Sequence, residues 1–390
     1  MIDVFYLTRN VECVGSDVLM SQKFMLAATG ETLCTRRSSC YTDERFLGLV
    51  KLLRSADCTF TNLETPIHTF KGYPNPSEVL TGTYQQADPY VADELKWMGF
   101  NLIALANNHA ADYSHEMLFE EMEILDKAGL VHAGVGKNLS EATMPAYLET
   151  EKGRAALISL CADHPPLCSA GEQRRDMHGR PGINPIRYDE HYVLDADSYE
   201  GLRRICSALG IKRGVGEKEI RFLKNRFELG NKPAVIREVR KLDVERNIRA
   251  VKDARRAADY VFVSYHHHSD QEQPAPMVQD ISRKLIDAGA DAIIGHGPHV
   301  IQGIEIYKKK PIFYSLGNFF YQSDTIKRFP SEMYEKMGLG VDDTPQDVLD
   351  MRELVRSGKV RGVGGYDSNR GGEWFMRWHE TLLASCTFES

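Results

Sequence analysis

The chain has 390 residues, 42% of them hydrophobic and 26% charged, with a formal net charge of -7. That is ample for one large core or two ordinary ones, and the acidic balance argues against nucleic acid as a partner. No stretch is long and apolar enough to span a bilayer. "MIDVFYLTRNVECVGSD" shows no leader-like apolar run, so the expected compartment is the cytoplasm.

In chain order, "KFMLAAT" (23–29) reads as a strand ending at Gly30, and "DCTFT" (57–61) as a second strand running into "NLETP". "YVADELKWM" (90–98) reads as a helix, and "NLIALA" (101–106) as a buried strand. Residues 114–128 carry Met117, Leu118, Met122 and Leu125 at helical spacing, with Ser114 as the expected N-cap. Short strands follow at "LVHAGV" and "RAALISL". The pattern resumes with a strand at 258–265, a helix at 279–289, a strand at 290–295 and two more within 303–317. Strands alternating with helices indicate an α/β architecture. The Arg/Lys-rich segment 162–257 reads as an inserted, basic, mainly helical cap within a single domain of 1–390. Residues 322–373 read as loop with one helix at 344–356.

The eight cysteines are scattered without a CxxC pair, which argues against a thiolate zinc site, and they read as reduced, mostly buried thiols. The unusual residues sit where the strands end. They are Glu31, then Asn62 and Glu64, then Asn107, Asn108 and His109. Further on come His266, His267, His268 and Asp270, and finally His296 and His299. In open α/β sheets, ligands collect beyond the carboxyl ends of strands. Imidazole and carboxylate ligands without thiolate suit Mn²⁺, Zn²⁺ or Fe. One or two ions would activate water and clamp an in-line displacement. Each residue alone has a plainer reading. A lone strand-end Glu is usually solvated, "HHH" can be an incidental run, and His132 suits a satisfied core or edge position. His68, His115, His178, His191 and His379 are isolated. "GHGPH" after an all-apolar strand is harder to explain by packing.

The stretches "FTNLETPI", "ALANNHAADYSHEM", "VFVSYHHHSD", "GHGPHVIQGIEIY" and "YSLGNFFYQ" together resemble the CapA family of poly-γ-glutamate capsule-synthesis proteins. That family belongs to the calcineurin-like metallophosphoesterase superfamily. The resemblance implies a four-layer α/β/β/α sandwich with a metal site at the strand tips. By position it implies metal ligands at Glu31, Glu64, Asn108, His266, His296 and His299, with Glu64 bridging. It also implies that His109 faces the substrate. Asp112, three residues on, is placed to orient that imidazole, and Asn107 to support the turn. The chain departs from the family in three ways. Glu31 stands where Asp is usual, Leu33 where the superfamily has a histidine, and His267-His268 where the family has Trp-Gly. The first two leave one ion short of a ligand. The last pair adds a ligand, a proton shuttle or a substrate contact.

The reaction class implied is hydrolysis of a phosphoester, amide or ester of a small or polymeric anionic substrate. Asn62, Asn107, His267 and His268 are candidate substrate contacts. So is Arg180, in "HGRPGINPIR", which resembles a stretch in some relatives. The competing expectation is a non-catalytic capsule-assembly or binding protein that keeps the fold. A structural zinc protein fits less well, because such sites favour thiolates.

Overall fold

The computed structural model describes residues 23–75, 84–268, 273–357, 359–360 and 377–389. Strand β1 (Phe24–Leu33) is buried almost throughout, as strands covered on both faces are. Helix α1 (Glu44–Arg54) starts at Asp43, whose carboxylate accepts from the Arg45 and Phe46 amides. Next come β2 (Cys58–Leu63), α2 (Tyr90–Met98), β3 (Leu102–Ala104), α3 (His115–Ala128) and β4 (Val131–Ala133). Ser114 holds the N-cap position of α3, but its side chain makes no capping bond. The chain then forms β5 (Val135–Gly136), α4 (Leu139–Ala142), β6 (Ala146–Thr150), β7 (Gly153–Cys161) and β8 (Gly182–Ile183).

One compact unit of the chain is Ile186–Glu245. It contains β9 (Tyr188–Leu194), α5 (Ala196–Ala208), β10 (Glu219–Phe222), β11 (Asn225–Leu229) and β12 (Ala234–Val239). Its sheet runs β10-β11-β9-β12, with Tyr199, Cys206 and Ile220 as its core. The expected mainly helical insertion at 162–257 is therefore corrected: this part is built around a four-stranded sheet. "EIRF" and "RFEL" alternate apolar with charged residues, a period of two that the density of Lys and Arg obscures, whereas "AVIREV" does not alternate. The β10–β11 turn is Leu223-Lys224, both at positive φ as a two-residue hairpin loop requires, but without the usual Asn-Gly signature. The arginines here are largely paired, for instance Arg187 with Asp243 and Arg237 with Glu190.

The remaining described elements are α6 (Lys241–Ala257), β13 (Tyr260–His266), α7 (Pro276–Ala288), β14 (Ala292–His296), β15 (Ile304–Tyr307), β16 (Lys310–Phe313), β17 (Asn318–Tyr321), α8 (Ser331–Lys336), α9 (Pro345–Arg356) and β18 (Ala384–Phe388). Helix α9 lies where a helix is expected, whereas α8, β17 and β18 are additions.

Two six-stranded sheets and the short antiparallel pair β5-β8 build the other unit. The first runs β17-β1-β2-β3-β4, and β18 pairs antiparallel with β1. The second runs β15-β16-β14-β13-β7-β6. Phe24, Leu26, Phe60 and Leu102 of the first sheet meet Leu157, Phe262, Ile294 and Phe313 of the second in one buried cluster. The other face of the first sheet buries Ile103 and Leu63 against Leu53, Leu95, Leu118 and Leu125 of α1, α2 and α3. Helix α7 packs on β14 and buries Val278, Ile281 and Leu285. The result is an α/β sandwich. Among the described residues no helix is long and apolar enough to cross a membrane, and the seven described cysteines are free.

Candidate metal centre

Register brings the strand ends level. Glu31 pairs with Asn62 across β1 and β2, and with Asn318 across β1 and β17. On the second sheet His266 pairs with His296 across β13 and β14. The ladder of β1 is irregular on both sides of Glu31, a bulge that re-aims a side chain. Gly30 is needed there, because a Cβ would overlap the Gly317 carbonyl oxygen, which accepts from the Glu31 amide at 2.9 Å. The turn after β14 is as tight. Gly297 has φ 117° and His299 φ 60°, the left-handed region that a non-glycine residue seldom occupies.

Glu31, Glu64, His266 and His296 are fully buried. Neither carboxylate oxygen of Glu31 or of Glu64 has a hydrogen-bond donor among the described residues, and neither does Asn108 Oδ1. Their neighbours are imidazoles. His299 Nδ1 lies 2.6 Å from Glu31 Oε2, while its hydrogen bond goes to Asn318 Oδ1 at 2.8 Å. His299 Nε2 and His109 Nε2 stand 3.8 and 4.0 Å from Glu64 Oε1. His266 Nδ1 is 2.9 Å from His296 Nδ1, and His266 Nε2 is 3.1 Å from His268 Nε2.

Three sets of ligand atoms lie within 4.8 Å of one another: Glu31 with His266 and His296, Glu64 with His266 and His268, and Glu31 with Glu64 and His299. Each can hold a metal ion. Glu31, Glu64 and His266 each belong to two of the sets. Two buried carboxylates without donors are costly unless a cation compensates them, so the residues present fit a divalent ion.

The electrostatics divide the cluster into neutral and charged imidazoles. Burial, then the charge of Glu31, pushes Glu64 up to about 7. Burial also raises Glu31, but the charge and contact of His299 outweigh it and leave Glu31 below its ordinary value. Burial holds His266 well below the usual imidazole value and His296 at about 3. Both rings are therefore neutral, the state that ligates. Burial lowers His299, but Glu31 and Glu64 dominate and raise it. Ser264 Oγ is 2.6 Å from His296 Nε2, which leaves Nδ1 to face the cluster.

The loop after β3 is built by its asparagines. Asn107 Nδ2 donates to the Leu63 carbonyl at 2.8 Å and to Asn62 Oδ1 at 3.3 Å, and its Oδ1 accepts from the His109 amide. Asn62 and Asn107 thus tie strand ends together, and Asn62 Nδ2 is left without an acceptor among the described residues. His109 Nδ1 lies 2.6 Å from Asp112 Oδ2, and that oxygen also accepts from the Gln85 amide. Burial lowers the His109 pKa, but the charge and hydrogen bond of Asp112 raise it above the ordinary value.

Two expected substrate contacts, His267 and Arg180, are in none of the ligand sets. His267 falls on the opposite face of its strand from His266 and His268, as the period of two dictates. Its Nε2 donates to the Tyr314 carbonyl at 2.9 Å. Arg180 is exposed and its Nε donates to the Ser169 carbonyl; it is in none of the three ligand sets. Asp270 lies outside the described residues. Ser264, Asn318 and Trp378 were not anticipated. The Trp378 ring lies 4.7 Å from that of His299 and its carbonyl accepts from Asn318 Nδ2. Of these, only Asn318 carried a signal, in "YSLGNF".

Residues 13–323 match the family described as "Bacterial capsule synthesis protein PGA_cap". An uncharacterized protein of Sinorhizobium fredii, y4sH, is 37% identical over 319 residues, covering 80% of this chain and 69% of that one. The PGA biosynthesis protein CapA of Bacillus subtilis is 24% identical over 344 residues, 85% of this chain and 73% of its own length. The capsule biosynthesis protein CapA of Bacillus anthracis is 23% identical over 332 residues, 84% of this chain and 66% of its own.

Proposed function

This chain belongs to the bacterial capsule synthesis family PGA_cap, and from that membership we propose that it is a metal-dependent hydrolase acting on an anionic substrate. The observation that carries this reading is the pair of fully buried carboxylates, Glu31 and Glu64, left without donors among the described residues and set amid imidazole nitrogens. Glu31, Glu64, Asn108, His266, His296 and His299 would hold one or two ions of Mn²⁺, Zn²⁺ or Fe, the metals that such donors suit. A bound ion lowers the pKa of water and polarises the electrophile. His109, steadied by Asp112, is the residue that protonates the leaving group.

Relatives named for capsule and PGA biosynthesis support a γ-glutamyl compound as substrate. The donor set serves a phosphoester, an amide or another ester equally well. The alternative is a non-catalytic capsule-assembly protein that keeps the fold. It is favoured by Leu33, a buried aliphatic two residues past Glu31, which leaves β1 one donor in the cluster.

The test is elemental analysis of purified protein by plasma mass spectrometry, followed by assay of the same sample on p-nitrophenyl phosphate, bis-p-nitrophenyl phosphate and γ-glutamyl p-nitroanilide. Manganese, zinc or iron near stoichiometry with hydrolysis is the expected result. Metal without turnover favours the assembly reading, and no metal after reconstitution with Mn²⁺ and Zn²⁺ overturns both the ion and the hydrolase.

A further inference from the structure

We propose that His268 is a metal ligand, completing with Glu64 and His266 an imidazole-rich ion position distinct from the carboxylate-rich one formed by Glu31, Glu64 and His299. The inference rests on the metal reading above and extends it to a side chain just past the end of β13. His266 and His268 are two residues apart on extended backbone, so both rings face the cluster while His267 turns away. Their Nε2 atoms are 3.1 Å apart. Two nitrogens each ~2.0–2.1 Å from one ion lie roughly 2.9–3.4 Å apart, so this spacing suits a shared cation.

A simple hydrogen bond between the rings would account for the two imidazoles. It would leave both Glu64 oxygens without a donor among the described residues, although Glu64 belongs to the same set of ligand atoms. A cation shared by all three accounts for every one of these atoms. The backbone supports the placement, because the His268 amide donates to Asp163 Oδ2 at 2.7 Å, which fixes the residue beyond the strand's last pair.

The two positions differ in chemistry. Glu64, His266 and His268 offer two imidazoles and one carboxylate, which favours Zn²⁺. Glu31, Glu64 and His299 offer two carboxylates and one imidazole, which favours Mn²⁺. His268 thus adds a second imidazole-rich set to the one that Glu31 forms with His266 and His296.

The test uses the full chain stripped with EDTA and titrated with Zn²⁺ against a chromophoric chelator. Wild type, His268→Ala and, as a control, His132→Ala are compared, with the thermal midpoint in EDTA reporting folding. At least one bound equivalent weakens at least ~10-fold in His268→Ala and is unchanged in His132→Ala. Should His268→Ala fail to fold, His268→Gln decides, because it keeps a hydrogen-bonding side chain but is a poor ligand; the same loss is expected. Zinc binding equal to wild type in the folded variant overturns the assignment of His268 and leaves the proposed function standing. Failure of the wild type to bind Zn²⁺ or Mn²⁺ at all overturns the proposed function and this inference with it.

Discussion

His109 and Asp112 form a closed pair: Nδ1 and Oδ2 are 2.6 Å apart, and both side chains are about nine-tenths shielded from solvent. The three-residue spacing lets one turn of loop hold both, and the Gln85 amide steadies the carboxylate from outside. The far nitrogen of His109 points toward Glu64. Asp112 therefore selects the tautomer and direction of the imidazole.

The first expectation concerns that pair. Asp112→Asn removes the carboxylate whose charge and hydrogen bond raise the His109 pKa, so less of the ring holds the proton that a general acid must deliver. Turnover should fall about 10²–10⁴-fold, the range for loss of general acid–base assistance. Metal content by mass spectrometry should stay at the wild-type value. Unchanged turnover would show that His109 takes no part in proton transfer.

The second concerns the ligand set. His296→Ala removes a nitrogen from the cluster and should abolish metal retention through gel filtration while leaving the circular dichroism spectrum intact. Ser264→Ala removes only the group at His296 Nε2. It should weaken metal affinity about 10–100-fold, as loss of an outer partner does. Normal metal content in His296→Ala would remove it from the set.

What could be read from the sequence was the row of strand ends. "NLIALANNH" and "ADAIIGHGPH" each run apolar residues straight into ligand types, a pattern that packing alone does not call for. The cap was misread because its strands are short, exposed and full of Arg and Glu, so their period of two resembles a solvated helix face. Ser264 was hidden inside β13, where a buried serine is unremarkable until the register to β14 is known. Trp378 reaches His299 from the far end of the chain, and β18 reaches β1 across more than 350 residues. Periodicity carries no trace of such pairings.

The third expectation is about backbone. Gly30→Ala puts a methyl group into the Gly317 carbonyl, and neither partner is a flexible side chain that can swing aside. The first sheet should lose at least about 2 kcal/mol, within the range for forced overpacking. Urea denaturation in EDTA measures this without a contribution from metal. A variant as stable as wild type would mean that the β1–β17 junction relaxes freely.

The last concerns Glu121, which lies in α3 away from the ligand cluster. It is buried, and its Oε1 accepts from the Ile67 amide at 3.0 Å. Burial pushes its pKa from 4.5 up to about 8, against the weaker pull of that amide. Between pH 4.5 and about 8 the native state keeps a proton that the unfolded chain has released. Stability therefore falls as pH rises through that window and levels off above it. The loss attributable to this group is on the order of 3–5 kcal/mol across the full window. Glu121→Gln keeps the acceptor for Ile67 but does not titrate. Its stability relative to wild type should thus improve steadily from pH 5 to pH 8, while the other titrating groups cancel in the comparison. Parallel pH profiles for the two proteins in urea denaturation would mean that Glu121 is ionised in the native state and that water or a rearranged α3 solvates it.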